Sequence, residues 1–286
     1  MKLQALIDFM ETICPPSLAE EWDNVGLLLG SRSAKIEKVL TCLTIDRAVV
    51  DEAIATGADC IVSHHPFPFH SGKKWTTDTT DGTLLLKLAG AHIATYSPHT
   101  AHDSAFFGIN RQLAEGLGLV DVKPLYEGKL KATRAMLDGL DEIDAQFLED
   151  DLKGEGATLG TGRIGRFEKP KSFAAFVAQV KDMLQIDRLL VVGSDAKTVS
   201  TVAIGCGAAD EFAGEAATKG ADAILMGEAK FHTCVEARAR NLGVVLAGHY
   251  ATERFSAAIL AERIARKFPE LIVSPSVKES DPIRIV

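Results

Sequence analysis

Val39-Leu-Thr-Cys-Leu-Thr-Ile45, then Arg47-Ala-Val-Val-Asp-Glu-Ala-Ile-Ala-Thr56 closed by Gly57, then Asp59-Cys-Ile-Val-Ser63 running into His64-His65: this stretch decides the fold. The outer runs are short, β-branched and apolar almost without interruption, the pattern of strands covered on both faces. The middle run is amphipathic and ends on glycine, as a helix does. Strand, helix and strand in that order make a βαβ unit and call for a parallel sheet.

The same alternation extends outward. Leu3 to Ile13 reads as a helix stopped by Pro15-Pro16. Leu84 to Leu88 lies in a helix, His92 to Tyr96 is a strand, and Asp103 to Glu115 is a helix ended by Gly116 and Gly118. The region Leu137 to Gly165 breaks the rhythm. It carries the acidic run Glu149-Asp150-Asp151, expected as a solvated face, and reads as a connection into a strand or hairpin. The alternation then resumes with helix Ser172–Leu184 and strands Arg188–Val192 and Val202–Cys206. Helix Glu211–Thr218, strand Asp222–Met226, helix Phe231–Ala239, strand Val244–Ala247 and helix Thr252–Lys267 follow.

The second half repeats the first. At an offset of 163, Gly30-Ser31 meets Gly193-Ser194, Glu52-Ala53 meets Glu215-Ala216, and Gly57-Ala58-Asp59 meets Gly220-Ala221-Asp222. Residues 28–65 give nine identities without a gap, which is more than shared periodicity alone supplies. One gap later His99-Thr-Ala-His-Asp103 meets His249-Tyr-Ala-Thr-Glu253. The expected fold is α/β: two similar three-layer domains with mostly parallel sheets, related by an internal repeat. The division is drawn at 1–125 and 126–286, and the C-terminal helix can interlink with the first domain.

Composition narrows the function. The 286 residues are 47% hydrophobic and 24% charged, an ordinary globular balance. No apolar run approaches the ~18 residues of a membrane helix. A net charge of −8 disfavours nucleic acid, which is bound by neutralising phosphates with Lys and Arg. Five scattered cysteines (Cys14, Cys42, Cys60, Cys206, Cys234) without CxxC spacing read as reduced core thiols. With Met1-Lys2-Leu3-Gln4 showing no signal-peptide pattern, the expected compartment is the cytoplasm.

The chemistry gathers at strand ends. His64 and His65 follow one strand, His99 and Asp103 another, His249 and Glu253 a third. The carboxyl edge of a parallel sheet is where ligands bind, and imidazoles with carboxylates are the donor set for zinc, iron or manganese. Five or six donors suit two divalent cations per chain better than one. Weaker candidates for lining a substrate cleft are Asp23 and Asn24, in the Trp22-Asp-Asn-Val-Gly26 turn, and Glu228 and His232, four residues apart. Gly160-x-Gly-Arg-x-Gly165 lacks the Gly-Lys-Ser/Thr of a phosphate loop.

Trp22-Asp-Asn-Val-Gly-Leu27, Ser63-His-His-Pro66, Ser97-Pro-His-Thr100 with Asp103, Gly227-Glu228 and Gly248-His-Tyr250 with Thr252-Glu-Arg254 together resemble the Nif-three-like proteins. That family is also called the GTP cyclohydrolase 1 type 2 homologues. The resemblance runs over nearly the whole chain. It implies a dinuclear metal centre and a ring-shaped homohexamer, a toroid. Matched position by position, it implies His64, His65, Asp103, His249 and Glu253 as ligands, with Asp103 or Glu253 bridging and His99 beside the metals as a candidate acid or base. The expected function is a metal-dependent hydrolase acting on a nucleotide or phosphorylated metabolite, GTP cyclohydrolase-like by this resemblance. The alternative is a non-enzymatic ring-shaped scaffold or a protein that stores or delivers metal.

Overall fold

The computed structural model describes residues 1–70, 72–131 and 158–284. They group as two compact units, one made of residues 1–102 and 254–284, the other of residues 103–131 and 158–253. The first run of the chain forms α1 (Leu3–Ile13), β1 (Gly26–Leu29), β2 (Lys38–Cys42), α2 (Arg47–Thr56), β3 (Cys60–Ser63), α3 (Thr80–Gly90), β4 (Ala94–Ser97) and α4 (His99–Ser104). Next come α5 (Ile109–Gly116), β5 (Val120–Lys123), β6 (Tyr126–Lys131), β7 (Thr158–Thr161), β8 (Arg163–Ser172), α6 (Phe173–Leu184), β9 (Leu190–Val192) and β10 (Thr198–Ala208). The chain closes with α7 (Phe212–Thr218), β11 (Ala223–Glu228), α8 (Phe231–Ala239), β12 (Gly243–Leu246), α9 (His249–Glu253), α10 (Phe255–Lys267) and β13 (Ile272–Pro275).

In the first unit the strands lie in the order β1-β4-β3-β2-β13, parallel except for the edge strand β1. Residues alternate across a sheet, and both faces are covered. Leu40, Cys42 and Ile61 pack with Val49, Val50 and Ala53 of α2 and Leu84 and Leu88 of α3. Thr41 points the other way and donates its hydroxyl to the Ala257 carbonyl of α10 at 2.7 Å. Helix α2 is closed at both ends. Asp46 accepts from the Val49 amide at 2.8 Å, and Gly57 takes the left-handed conformation (φ 68°) that ends helices.

In the second unit the order is β5-β8-β10-β11-β12-β9, with a parallel centre of β10, β11 and β12 flanked by antiparallel strands. Ala203, Ile224 and Val244 pack with Phe212, Ala216 and Ala237 of α7 and α8, and α5 and α6 lie against β8 and β10. Strands β6 and β7 pair antiparallel as a separate two-stranded sheet.

The internal repeat extends to individual hydrogen bonds. The Asp59 carboxylate accepts from the amides of Glu37 (2.7 Å) and Lys38 (2.9 Å). Asp222, its partner at the offset of 163, accepts from Ser200 and Thr201, both at 2.9 Å. In each unit this carboxylate fixes the start of the central strand pair against its neighbour. Gly57 and Gly220 both take positive φ (68° and 76°). Each sheet also pairs an antiparallel edge strand, β1 or β9, with the third strand of its parallel set.

Several elements depart from expectation. The helix expected over Asp103–Glu115 divides into α4 and α5, because the Ser104 and Ala105 carbonyls bond to the buried Arg163 guanidinium instead (3.4 and 2.7 Å). The helix expected over Thr252–Lys267 likewise divides into α9 and α10. The chain changes sheets at other points than 125/126. Val120–Lys123 pairs with β8 in the second sheet, and Ile272–Pro275 returns to pair with β2 in the first. The expected connection and its acidic run lie outside the described residues up to 157, and beyond them the stretch forms β7 and the start of β8. Its Gly160-x-Gly-Arg motif is a turn, in which Arg163 also donates to the Gly160 and Gly162 carbonyls at 2.8 and 2.7 Å. Among the described residues no helix is long and apolar enough to cross a membrane.

Candidate metal centre

On the first unit, β3 and β4 end side by side and deliver three imidazoles. Serine hydroxyls lock the backbone where the strands stop: Ser97 donates to the His64 carbonyl at 2.5 Å and Ser63 to that of His65 at 2.8 Å. The His64 and His65 amides bond to the carbonyls of Cys42 and Leu43 at the end of the neighbouring strand β2. The rings of His64, His65 and His99 have centroids 5.1–5.6 Å apart. One ring nitrogen from each lies within 4.8 Å of the others, a spacing that fits a common metal ion.

Each outer ring is oriented by a neighbour. His65 Nδ1 is 2.8 Å from the Thr44 hydroxyl. His99 Nδ1 is 2.7 Å from Asp23 Oδ1, whose side chain is only 1% exposed. Asp23 also accepts from the Thr100 amide (3.1 Å) and hydroxyl. Burial works to raise the Asp23 pKa, but the hydrogen bonds from His99 and Thr100 outweigh it and hold the carboxylate below its ordinary value. A carboxylate on one nitrogen of an imidazole fixes its tautomer and ring plane, so Asp23 orients His99. His99 itself sits at φ 33°, a strained conformation for a non-glycine residue that is met at functional positions.

The second unit carries a carboxylate-rich counterpart. His249 Nε2 is 3.0 Å from Glu253 Oε2, and its Nδ1 is 2.9 Å from Glu228 Oε1. The Glu253 hydrogen bond leads in raising the His249 pKa to about 9, against the opposing effect of burial. Glu253 is 3% exposed, and its carboxylate lies over Gly207, where a Cβ would stand 2.1 Å from Oε1 and 3.1 Å from His249 Nε2. Only a glycine leaves room for that carboxylate. Asp103 Oδ1 accepts from the Cys206 thiol at 3.2 Å. Burial first, and then the Asp103 charge, push that thiol well above the ordinary range.

The structure adds the surroundings of the residues that the sequence singles out. Asp23, expected to line a substrate cleft, holds His99, and Asn24 donates its amide to the Pro68 carbonyl at 3.2 Å. Glu228 turns to His249, while His232 is exposed with its ring edge against Phe231. Thr44 and Gly207 were missed, since nothing in their local sequence marks them. Cys206, expected to fill the core, is buried and also touches Asp103.

A family model described as Duf34/NIF3 (NGG1p interacting factor 3) matches residues 1–282. The chain belongs to this family. A relative from Clostridium acetobutylicum named "GTP cyclohydrolase 1 type 2 homolog" is 29% identical over 92% of this chain and 90% of its own length. Among solved structures, a Bacillus cereus protein related to NIF3 is similar in fold, with a TM-score of 0.86 at 24% identity over 100% of this chain and 99% of that one. Reduced HcgD from Methanocaldococcus jannaschii has a TM-score of 0.75 at 28% identity, covering 96% of this chain and 97% of that one.

Proposed function

We propose that this chain is a metal-dependent hydrolase acting on a nucleotide or phosphorylated metabolite, with His64, His65, Asp103, His249 and Glu253 holding two divalent ions of zinc, iron or manganese. The observation that carries the reading is the His64–His65 pair at the end of β3, with ring nitrogens within 4.8 Å of each other and of one on His99 beside them. The glycine cradle at Gly207, which a Cβ would fill, supports it from the second unit. When bound, such ions lower the pKa of water and polarise the bond under attack.

The chain's own residues then have distinct tasks. Asp23 holds His99 through Nδ1, which leaves Nε2 as the nitrogen that can take up or give a proton. The Cys206 thiol holds the Asp103 carboxylate in one orientation, and Glu228 does the same for the His249 ring. The name of the Clostridium relative supports a purine nucleotide as substrate, and the resemblance supports a ring of six subunits.

Elemental analysis tests the ligand set. His65→Ala or His249→Ala should lose at least one equivalent of metal with the fold intact, and full occupancy in both would refute it. Turnover of GTP, cyclic nucleotides and phosphoesters tests the chemistry. Asp103→Asn should abolish hydrolysis together with one ion, whereas His99→Ala should keep both ions and lose about 10²–10⁴ in rate. A chain that holds both ions and turns over none of these substrates favours the storage or scaffold alternative. Light scattering at six times the chain mass of 30.6 kDa supports the ring, and a lone monomer at micromolar concentration refutes it.

A further inference from the structure

We propose that Trp22 and Phe69 form a stacking platform for the planar heteroaromatic ring of the ligand, an inference that rests on the nucleotide reading above. Trp22 is 64% exposed and Phe69 42% exposed. Large aromatic side chains are the ones most favoured by burial, so two exposed side by side call for an explanation. Their ring centroids are 6.3 Å apart with planes tilted by 36°, and each lies 5.9 Å from the His99 ring, edge to face. The platform therefore adjoins the imidazole group directly.

Both carriers are held in place. The residue after Trp22 is Asp23, tied to His99 and Thr100. The next, Asn24, donates its Nδ2 to the carbonyl of Pro68, the residue before Phe69. Rings fixed in an open arrangement offer a preorganised face, which limits the ordering cost of binding. Base-on-aromatic stacking is a recurrent way to hold nucleotides without reading their phosphates. It also fits the missing phosphate-loop motif, because the ring rather than the phosphate then supplies the anchoring contact.

The chain has two tryptophans, Trp22 and Trp75, so a Trp75→Phe background leaves Trp22 as the reporter. Guanosine and GTP should quench its emission saturably, while inorganic triphosphate, which has no ring, should not. By calorimetry, Trp22→Ala and Phe69→Ala should each weaken GTP binding about tenfold or more, with triphosphate binding and metal content unchanged. Trp22→Phe should stay within a few fold of the wild type. The platform is overturned if guanosine and GTP leave Trp22 unquenched, or if Trp22→Ala binds GTP like wild type. It is also overturned if Trp22→Ala breaks up an oligomer, since the rings then belong to a subunit contact. Metal content separates the two readings. A protein that holds its ions but does not quench loses the platform alone, and one that quenches with guanosine but holds no ions loses the metal reading alone.

Discussion

Replacing Gly207 with alanine tests the carboxylate cradle in a way that can be calibrated within the same unit. Gly207 and Gly220 both take positive φ, 59° and 76°. At Gly220 an added Cβ meets nothing within 4 Å, so Gly220→Ala reports backbone strain alone, about 1 kcal/mol. At Gly207 the same methyl would stand 2.1 Å from Glu253 Oε1, which must retreat by roughly 1 Å to reach ordinary van der Waals contact. Glu253 is buried and has no solvent to retreat into, so its 3.0 Å contact with His249 Nε2 is broken. The His249 side chain is 32% exposed, so losing this ion-pair contact costs about 1 kcal/mol, which brings Gly207→Ala to about 2 kcal/mol in all. Urea unfolding of the metal-free protein would show this as a midpoint well below that of Gly220→Ala. NMR titration would show the His249 pKa falling from about 9 towards 6.5, because its main support is gone. If Gly207→Ala and Gly220→Ala unfold alike and His249 titrates as in wild type, the cradle is not what it has been described to be.

Three further outcomes follow from groups described above. Because His249 is raised from 6.5 to about 9 in the folded metal-free chain, it contributes stability that is full below pH 6.5 and is lost as pH rises through 9; urea midpoints should fall over that window, and His249→Gln should flatten the slope. The thiols of Cys42, Cys60 and Cys206 are buried and raised, Cys60 to about 12, so brief iodoacetamide treatment of the native protein should modify Cys234 first, as read by peptide mass spectrometry. Arg163→Met should cost about 2 kcal/mol or more, since the carbonyls of Ala105, Gly160 and Gly162 each lose a charged donor inside the protein while Ala105 and Gly162 keep a backbone one, and a thermal-denaturation midpoint equal to wild type would contradict that role.

The fold was legible wherever local pattern and tertiary role agree. Leu3–Ile13 and Arg47–Thr56 form helices with the expected bounds, because Pro15-Pro16 stops the first and Asp46 and Gly57 cap the second. The split of α4 from α5 was not legible. It depends on an arginine 58 residues further along the chain, Arg163, bonding to the Ala105 carbonyl, and no periodicity announces that. At the candidate site, histidines stood out because they are few and cluster at strand ends. Their supports did not stand out, because Thr44, Cys206 and Gly207 form no local pattern and take their meaning only from what the chain brings beside them.

The paired carboxylates Asp59 and Asp222 have a consequence for how such a chain can change. Each sets the alignment of its strands from the amino end of the sheet, by the same two amide contacts. The side chains at the opposite end are thereby spared that task, although their backbones still pair. At matched positions one copy carries His65 and the other Glu228, one His64 and the other Gly227. A duplicated framework anchored in this way can let its two copies drift apart chemically, one towards imidazole and one towards carboxylate, without either losing its shape.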